Sequence, residues 1–206
     1  WIVLSVFGAL PFVISGSTVT FTDALFESVS GFTTTGASVI SDVEVLDKGI
    51  LFWRSLTHWI GGMGVLVFVL AVLPKADAKS GRLMHLMRAE VPGPTVGKLS
   101  PKITQTARVM YAIYVVLTLI EVVFLLFGGM SLFDALIHSF GTAGTGGFSI
   151  KNASVGAYNS AYIEYVIGAF MLLFGMNFNL FYLILIGHFL KALKSEELWS
   201  YLIIIT

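Results

Sequence analysis

Phe32-Thr33-Thr34-Thr35-Gly36-Ala37-Ser38 sets three threonine hydroxyls and a glycine at the end of an apolar run too brief to cross a bilayer. Backbone carbonyls beside such hydroxyls can replace the hydration shell of an ion. Irregular backbone at membrane depth persists only where protein encloses it or where it lines a water-filled cavity. Alone, a Thr/Gly/Ser run is usually a plain loop. The pattern returns 111 residues later, where positions 20–38 fall without a gap on 131–149 and seven of the nineteen pairs are identical. Ordinary residue frequencies give about one or two. The identities are Asp23/Asp134, Ala24/Ala135, Leu25/Leu136, Ser28/Ser139, Thr34/Thr145, Gly36/Gly147 and Ser38/Ser149. Thr33, Thr34, Thr35, Gly36 and Ala37 therefore form one candidate cation-binding loop, and Gly144, Thr145, Gly146, Gly147 and Phe148 the other. They would act through carbonyl oxygens. Gly36 and Gly147 supply positive φ or the close approach of an ion.

Each copy opens on a helix-start signal, Thr20-x-x-Asp23 or Ser131-x-x-Asp134, able to cap free N–H groups. A helix of about eleven residues is roughly 16 Å long, half of a hydrocarbon core near 30 Å. Each copy thus reads as a re-entrant hairpin: a half-helix going in and extended backbone coming out. Two such hairpins suit a shared axis, since ligands must converge on an ion from several sides.

Composition places the hairpins in a polytopic, all-α membrane protein, with 56% hydrophobic and 12% charged residues. Zero net charge gives no global field to attract nucleic acid. The absence of cysteine excludes disulfides and thiolate metal sites. The chain begins and stops inside apolar runs and reads as a fragment of a longer one. Residues 1–73 form a first helix–pore loop–helix unit, 74–106 a linker, 107–194 a second unit and 195–206 the start of a third. Apolar stretches 50–73, 109–127 and 162–190 are each long enough to span. The linker and Arg108 hold seven of the twelve Lys and Arg residues, which makes the linker cytoplasmic and turns both loop entrances outward. Each unit crosses twice, so both copies face the same way, unlike the inverted repeats common in secondary transporters.

Polar side chains inside apolar stretches are candidate supports for the loops. Arg54 either snorkels to the outer face or pairs with a carboxylate such as Glu27. Glu121, near the middle of 109–127, either binds a donor behind the loops or faces the ion path. Asn177 and Asn179 read as interhelical hydrogen-bond glue more than as cavity lining. Gly61, Gly62 and Gly64 read as close helix packing, since they follow no strand and lack a phosphate-loop lysine. His58, His85, His138 and His188 show no metal spacing.

With Asp23-Ala-Leu-Phe-Glu-Ser-Val-Ser-Gly-Phe-Thr-Thr-Thr-Gly36-Ala-Ser, Trp53-Arg-Ser-Leu-Thr-His-Trp-Ile-Gly-Gly-Met-Gly64 and the 133–149 copy in hand, the chain resembles the Trk/Ktr/HKT superfamily of potassium transporters, in its bacterial TrkH branch. The resemblance implies a pseudo-fourfold pore of four such units in one chain, each giving one filter glycine. Gly36 and Gly147 match the first two. It implies a potassium ion at the filter, no organic cofactor, the bacterial inner membrane, a homodimer, and a cytoplasmic nucleotide-binding regulatory subunit of the TrkA-like, RCK type. A serine at the first filter glycine accompanies sodium in some plant members, so Gly36 favours potassium. Thr35 aligns with Gly146, so the filter is expected to be imperfectly fourfold.

Potassium uptake through a pore is the leading reading. A symporter coupling potassium to sodium or protons is the alternative. A membrane-embedded enzyme comes last: His58, His138 and Ser30 are candidate bases and nucleophiles, but no nucleophile elbow or metal motif accompanies them.

Overall fold

The computed structural model describes residues 1–64, 103–185 and 187–205. The end of the 50–73 stretch and nearly all of the expected linker lie outside the described residues. Every regular element among the described residues is helical. In order they are α1 (Ile2–Ile14), α2 (Phe21–Phe32), α3 (Lys48–Gly62), α4 (Ile103–Phe127), α5 (Leu132–Ala143), a 3-10 turn (Ser154–Tyr158), α6 (Ala161–Gly175), α7 (Phe178–Leu185), α8 (Phe189–Leu193) and α9 (Glu196–Ile205).

Local signals start the two half-helices. The Thr20 hydroxyl accepts from the Asp23 N–H at 3.1 Å, and the Asp23 carboxylate returns a bond to the Thr20 N–H at 3.0 Å. Ser131 caps α5 through the Asp134 N–H at 3.2 Å. There the Asp134 carboxylate accepts from the Tyr158 hydroxyl at 3.0 Å. Burial, and then that carboxylate, push the Tyr158 phenol above its ordinary pKa. Helices α2 and α5 have 12 residues each, about 18 Å, too short to span.

Among the described residues one helical segment, Ala107–Phe127, is long and apolar enough to cross a membrane, and α1 and α6 are shorter apolar helices. Their outer faces carry large apolar side chains: Ile2, Phe7 and Ile14 on α1, and Leu119, Val123 and Phe127 on α4, are exposed. Apolar surface on this scale is what a lipid-facing wall requires and what a water-facing one avoids.

The residues gather into two compact units. The first holds Trp1–Gly62 and Leu117–Met171, and so both hairpins. Here α1 lies against α2 at Gly8, where a side chain would strike the Phe32 ring and Ser28. The Trp53 indole donates to the Gly8 carbonyl at 3.0 Å, tying α3 to α1. Ala9, Phe12, Ala24 and Ile50 form the core between these helices. Val43, Leu51, Ile137 and Ile150 form a second core, which joins the first hairpin to the second.

The second unit gathers the described residues of 63–116 and 172–206. Tyr114 packs edge-on against Phe174 there, with ring centroids 5.5 Å apart. The apolar run expected as one stretch over 162–190 is broken twice. Helix α6 stops at Gly175, where a Cβ would meet the Tyr201 hydroxyl. The Asn177 amide donates to both Glu197 carboxylate oxygens at 3.0 Å. A side-chain amide with a partner on α9 competes with helical continuation. Gly187, at φ +81°, breaks the run again, with the His188 N–H closing onto the Leu183 carbonyl at 2.8 Å.

Ser131→Ala, which removes the α5 cap, is expected to destabilise the protein by about 1 kcal/mol. A lowered thermal midpoint for the detergent-solubilised full-length chain checks this.

Candidate functional site: two aligned re-entrant loops

Past the half-helices the backbone takes an unusual path, and takes it twice. Thr34 and Gly36 have φ of +54° and +75°, while Thr145 and Gly147 have +53° and +80°. A β-branched residue in the left-handed region is a genuine outlier, and such outliers cost on the order of 1–3 kcal/mol each. Thr33 and Gly144, the residues before them, have ordinary negative φ of −81° and −77°. An extended strand points successive carbonyls to opposite sides. Reversing the sign of φ at every second residue undoes that alternation and lets neighbouring carbonyls share a side.

The hydrogen bonds repeat at the same offset. Thr34 N–H donates to the Gly31 carbonyl at 3.0 Å, and Thr145 N–H to that of Thr142 at 2.8 Å. Thr35 N–H donates to Ser30 at 2.9 Å, and Gly146 N–H to Gly141 at 3.1 Å. Loop N–H groups thus fold back onto the half-helix ends. Among the described residues, no hydrogen bond is donated to the carbonyls of 34–36 or 145–147. Those oxygens are left for something else. The two loops are neighbours: a Cβ on Gly36 would fall on the Gly146 carbonyl. Gly147 has open space around its Cβ position, so its φ alone calls for glycine there.

Side chains lock the outgoing strands. The Glu27 carboxylate accepts from the Ser38 hydroxyl at 2.6 Å and the Val39 N–H at 2.7 Å. His138 stands 111 residues after Glu27, and its Nε2 lies 3.1 Å from the Ser149 hydroxyl, the counterpart of Ser38. One brace is thus built from a carboxylate and the other from an imidazole. Ser30 adds a bond from its hydroxyl to the Ala37 carbonyl at 2.5 Å.

Helix α3 stands between the loops. Its Arg54 is buried, bound to Glu27 Oε2 at 2.9 Å and donating to the Ser149 carbonyl at 3.3 Å. One guanidinium therefore holds both hairpins, and its carbon lies 3.8 Å above the Phe148 ring. His58, one turn on, stacks on Phe148 with centroids 3.9 Å apart. A Cβ on Gly31 would meet the Thr57 hydroxyl, and one on Gly61 the Phe32 carbonyl. Removing side chains at these points lets α2 and α3 touch.

Glu121 is fully buried on α4, beside the Thr142 hydroxyl of α5. That hydroxyl donates to the His138 carbonyl at 2.8 Å, and neither Glu121 oxygen completes a hydrogen bond by distance and angle. Asn177 belongs to the second unit, where its amide donates to Glu197. The Asn179 side chain is outside the described residues. Sequence reasoning missed Thr57, Phe148 as a clamped ring, and the supporting roles of His58 and His138. Only His138 carried a signal, since it occupies Glu27's place in the repeat.

Outside the loops, the two hairpins are tied by polar contacts. Lys151 Nζ reaches Glu44 at 3.1 Å, and Asn152 Nδ2 reaches Asp42 at 2.8 Å. The Val43 N–H donates to the Asn152 side chain at 3.0 Å. Bonding from the Asn152 side chain holds Asp42 below its ordinary pKa, and the Asn152 N–H followed by Lys151 does so for Glu44.

The family described as TrkH, cation transport protein, matches residues 1–201 of this chain. The Trk system potassium uptake protein TrkH of Escherichia coli strain K12 is 45% identical over 194 residues, covering 93% of this chain and 40% of that protein. TrkG of the same strain, also a Trk system potassium uptake protein, is 41% identical over 207 residues, covering 99% and 42%. The crystal structure of the potassium transporter TrkH from Vibrio parahaemolyticus superposes with a TM-score of 0.70 at 38% identity, over 88% of this chain and 35% of that one. The chain spans about two fifths of the length of these curated relatives.

Arg54→Ala strands the Glu27 carboxylate in a dry site, at an expected cost of about 3–5 kcal/mol. Glu27→Gln with Arg54→Gln should recover part of it in a double-mutant cycle read by thermal unfolding. The outer tie is expected to have the opposite resilience. Groups with a lowered folded pKa keep their contribution above the ordinary value and lose it as pH falls through the folded one. Label distances between the 42–44 and 151–152 loops should therefore hold from pH 7 to pH 5 and widen only below the ordinary 3.8 of Asp42 and 4.5 of Glu44.

Proposed function

Because the chain belongs to the TrkH family of cation transport proteins, we propose that it supplies two sectors of a potassium-conducting pore. The observation that carries this reading is the twofold left-handed backbone at Thr34/Gly36 and Thr145/Gly147, set side by side, with carbonyls that accept no hydrogen bond among the described residues. Within Thr33 to Ala37 and Gly144 to Phe148, the carbonyls of 34–36 and 145–147 line the ion path, while that of Ala37 is held by Ser30. A potassium ion sheds its water against them. Helices α2 and α5 end at the loops, so their negative C-terminal poles favour a cation there. The membrane potential drives it inward with about 2.3 kcal/mol per charge per 100 mV.

Two further units of the same chain complete the ring. The pore sits in the bacterial inner membrane, with the loop entrances facing outside and 74–106 in the cytoplasm. A homodimer with a nucleotide-binding RCK subunit on the inner face is the working assembly. Potassium is the cargo, and no organic cofactor is involved. Arg54 serves this pore by holding two loops with one charge. Glu121 stands behind the second loop, and Asn177 fastens the inner end of its unit.

Rubidium uptake by the complete protein in proteoliposomes tests the proposal. The wild type should prefer rubidium and potassium to sodium. Gly36→Ser should lower that preference by about tenfold, the equivalent of 1.4 kcal/mol. It both strains φ and pushes on the Gly146 carbonyl. Gly147→Ser, with open space at its Cβ, should do less. Selectivity untouched by either change sinks the pore.

A further inference from the structure

Resting on the pore reading above, we propose that His58 is a positioning residue for ion selection: an imidazole donor built into the seam between the two loops, holding the second loop in register. The ring is completely buried. Its Cε1, Nε2 and Nδ1 atoms are the nearest heavy atoms to the place a Gly146 Cβ would occupy, and its own carbonyl is nearest at Gly144. One residue of α3 thus backs the second loop at two points.

Phe148, where that loop ends, is held by the same helix. Two flat groups closer than 4 Å to one ring cannot share a face, so Arg54 at 3.8 Å and His58 at 3.9 Å sandwich it. The first loop has Ala37 at the matching position and no ring to clamp. The second loop is therefore the one that needs a support from outside its own hairpin.

Shape alone would be served better by phenylalanine. An imidazole always keeps at least one N–H, and a buried donor left without a partner is destabilising. The Ser30 backbone is a polar neighbour of the ring, and its carbonyl, which accepts from Thr35, keeps a second lone pair; neither ring nitrogen completes a hydrogen bond by distance and angle. The donor sits between a carbonyl of the first hairpin and the Gly146 backbone of the second. A loop carbonyl that swings away from the ion path finds this N–H on its outer side. Bonding there limits how far the strand can leave the ion path. A stack without nitrogen cannot do this.

The test uses the complete protein in proteoliposomes, with rubidium and sodium uptake and thermal midpoints measured for the wild type, His58→Phe and His58→Gln. His58→Phe should keep or raise the midpoint while lowering the rubidium-over-sodium preference severalfold. His58→Gln, which returns an N–H, should recover at least half of that preference. A merely structural role predicts the reverse coupling, with selectivity following stability. Wild-type preference in His58→Phe overturns the proposal. If that variant fails to reach the membrane, His58→Leu is read by the same criterion. A wild type with no rubidium preference would instead remove the pore itself, so the two failures are distinct.

Discussion

Backbone that is neither helix nor strand must find partners for its N–H groups outside a regular ladder. The hairpins meet this demand in a fixed order. The first loop N–H groups fold back on the half-helix ends at Gly31 and Ser30, or Thr142 and Gly141. Farther along each outgoing segment side chains take over, with Glu27 receiving Val39 and the Ser149 hydroxyl receiving Lys151. Among the described residues, the carbonyls of 34–36 and 145–147 accept none of these bonds. A buried carboxylate that collects donors then needs a counter-charge, and Arg54 supplies it from α3. The position of α3 follows from the chemistry of a loop that it does not belong to.

The two loops share a backbone and differ in what surrounds it. Glu27 and His138 occupy one repeat position and bind the same serine, one as an anion and one as a ring. Asp23 closes a full capping box, whereas Asp134 turns to Tyr158. Ala37 and Phe148 match in the repeat, yet only Phe148 is clamped. The geometry of the carbonyls is kept and its supports are exchanged. This is the order expected if the carbonyls bear on function and the supports need only hold them.

Local features were legible in the amino-acid sequence. The 111-residue offset, the Thr20 and Ser131 caps and the half-length helices all follow from residues close together in the chain. Arg54 was legible as a charge in an apolar stretch, but its partner depends on the docking of α3 against α2, which spacing along the chain does not encode. His58 and Phe148 lie 90 positions apart and meet only after that docking. The break at Gly175 was hidden because hydropathy averages over a single glycine and a single asparagine. Its cause, Glu197, lies on another helix.

The exchange of Glu27 for His138 carries a consequence for descent. A ring assembled from identical subunits repeats every substitution around its axis, so a change tolerated at one wall is imposed on all of them. Copies joined in a single polypeptide escape that rule. One wall can trade an acid for an imidazole while its neighbour keeps the older arrangement, and the shared passage can acquire features that no symmetric assembly could reach one mutation at a time.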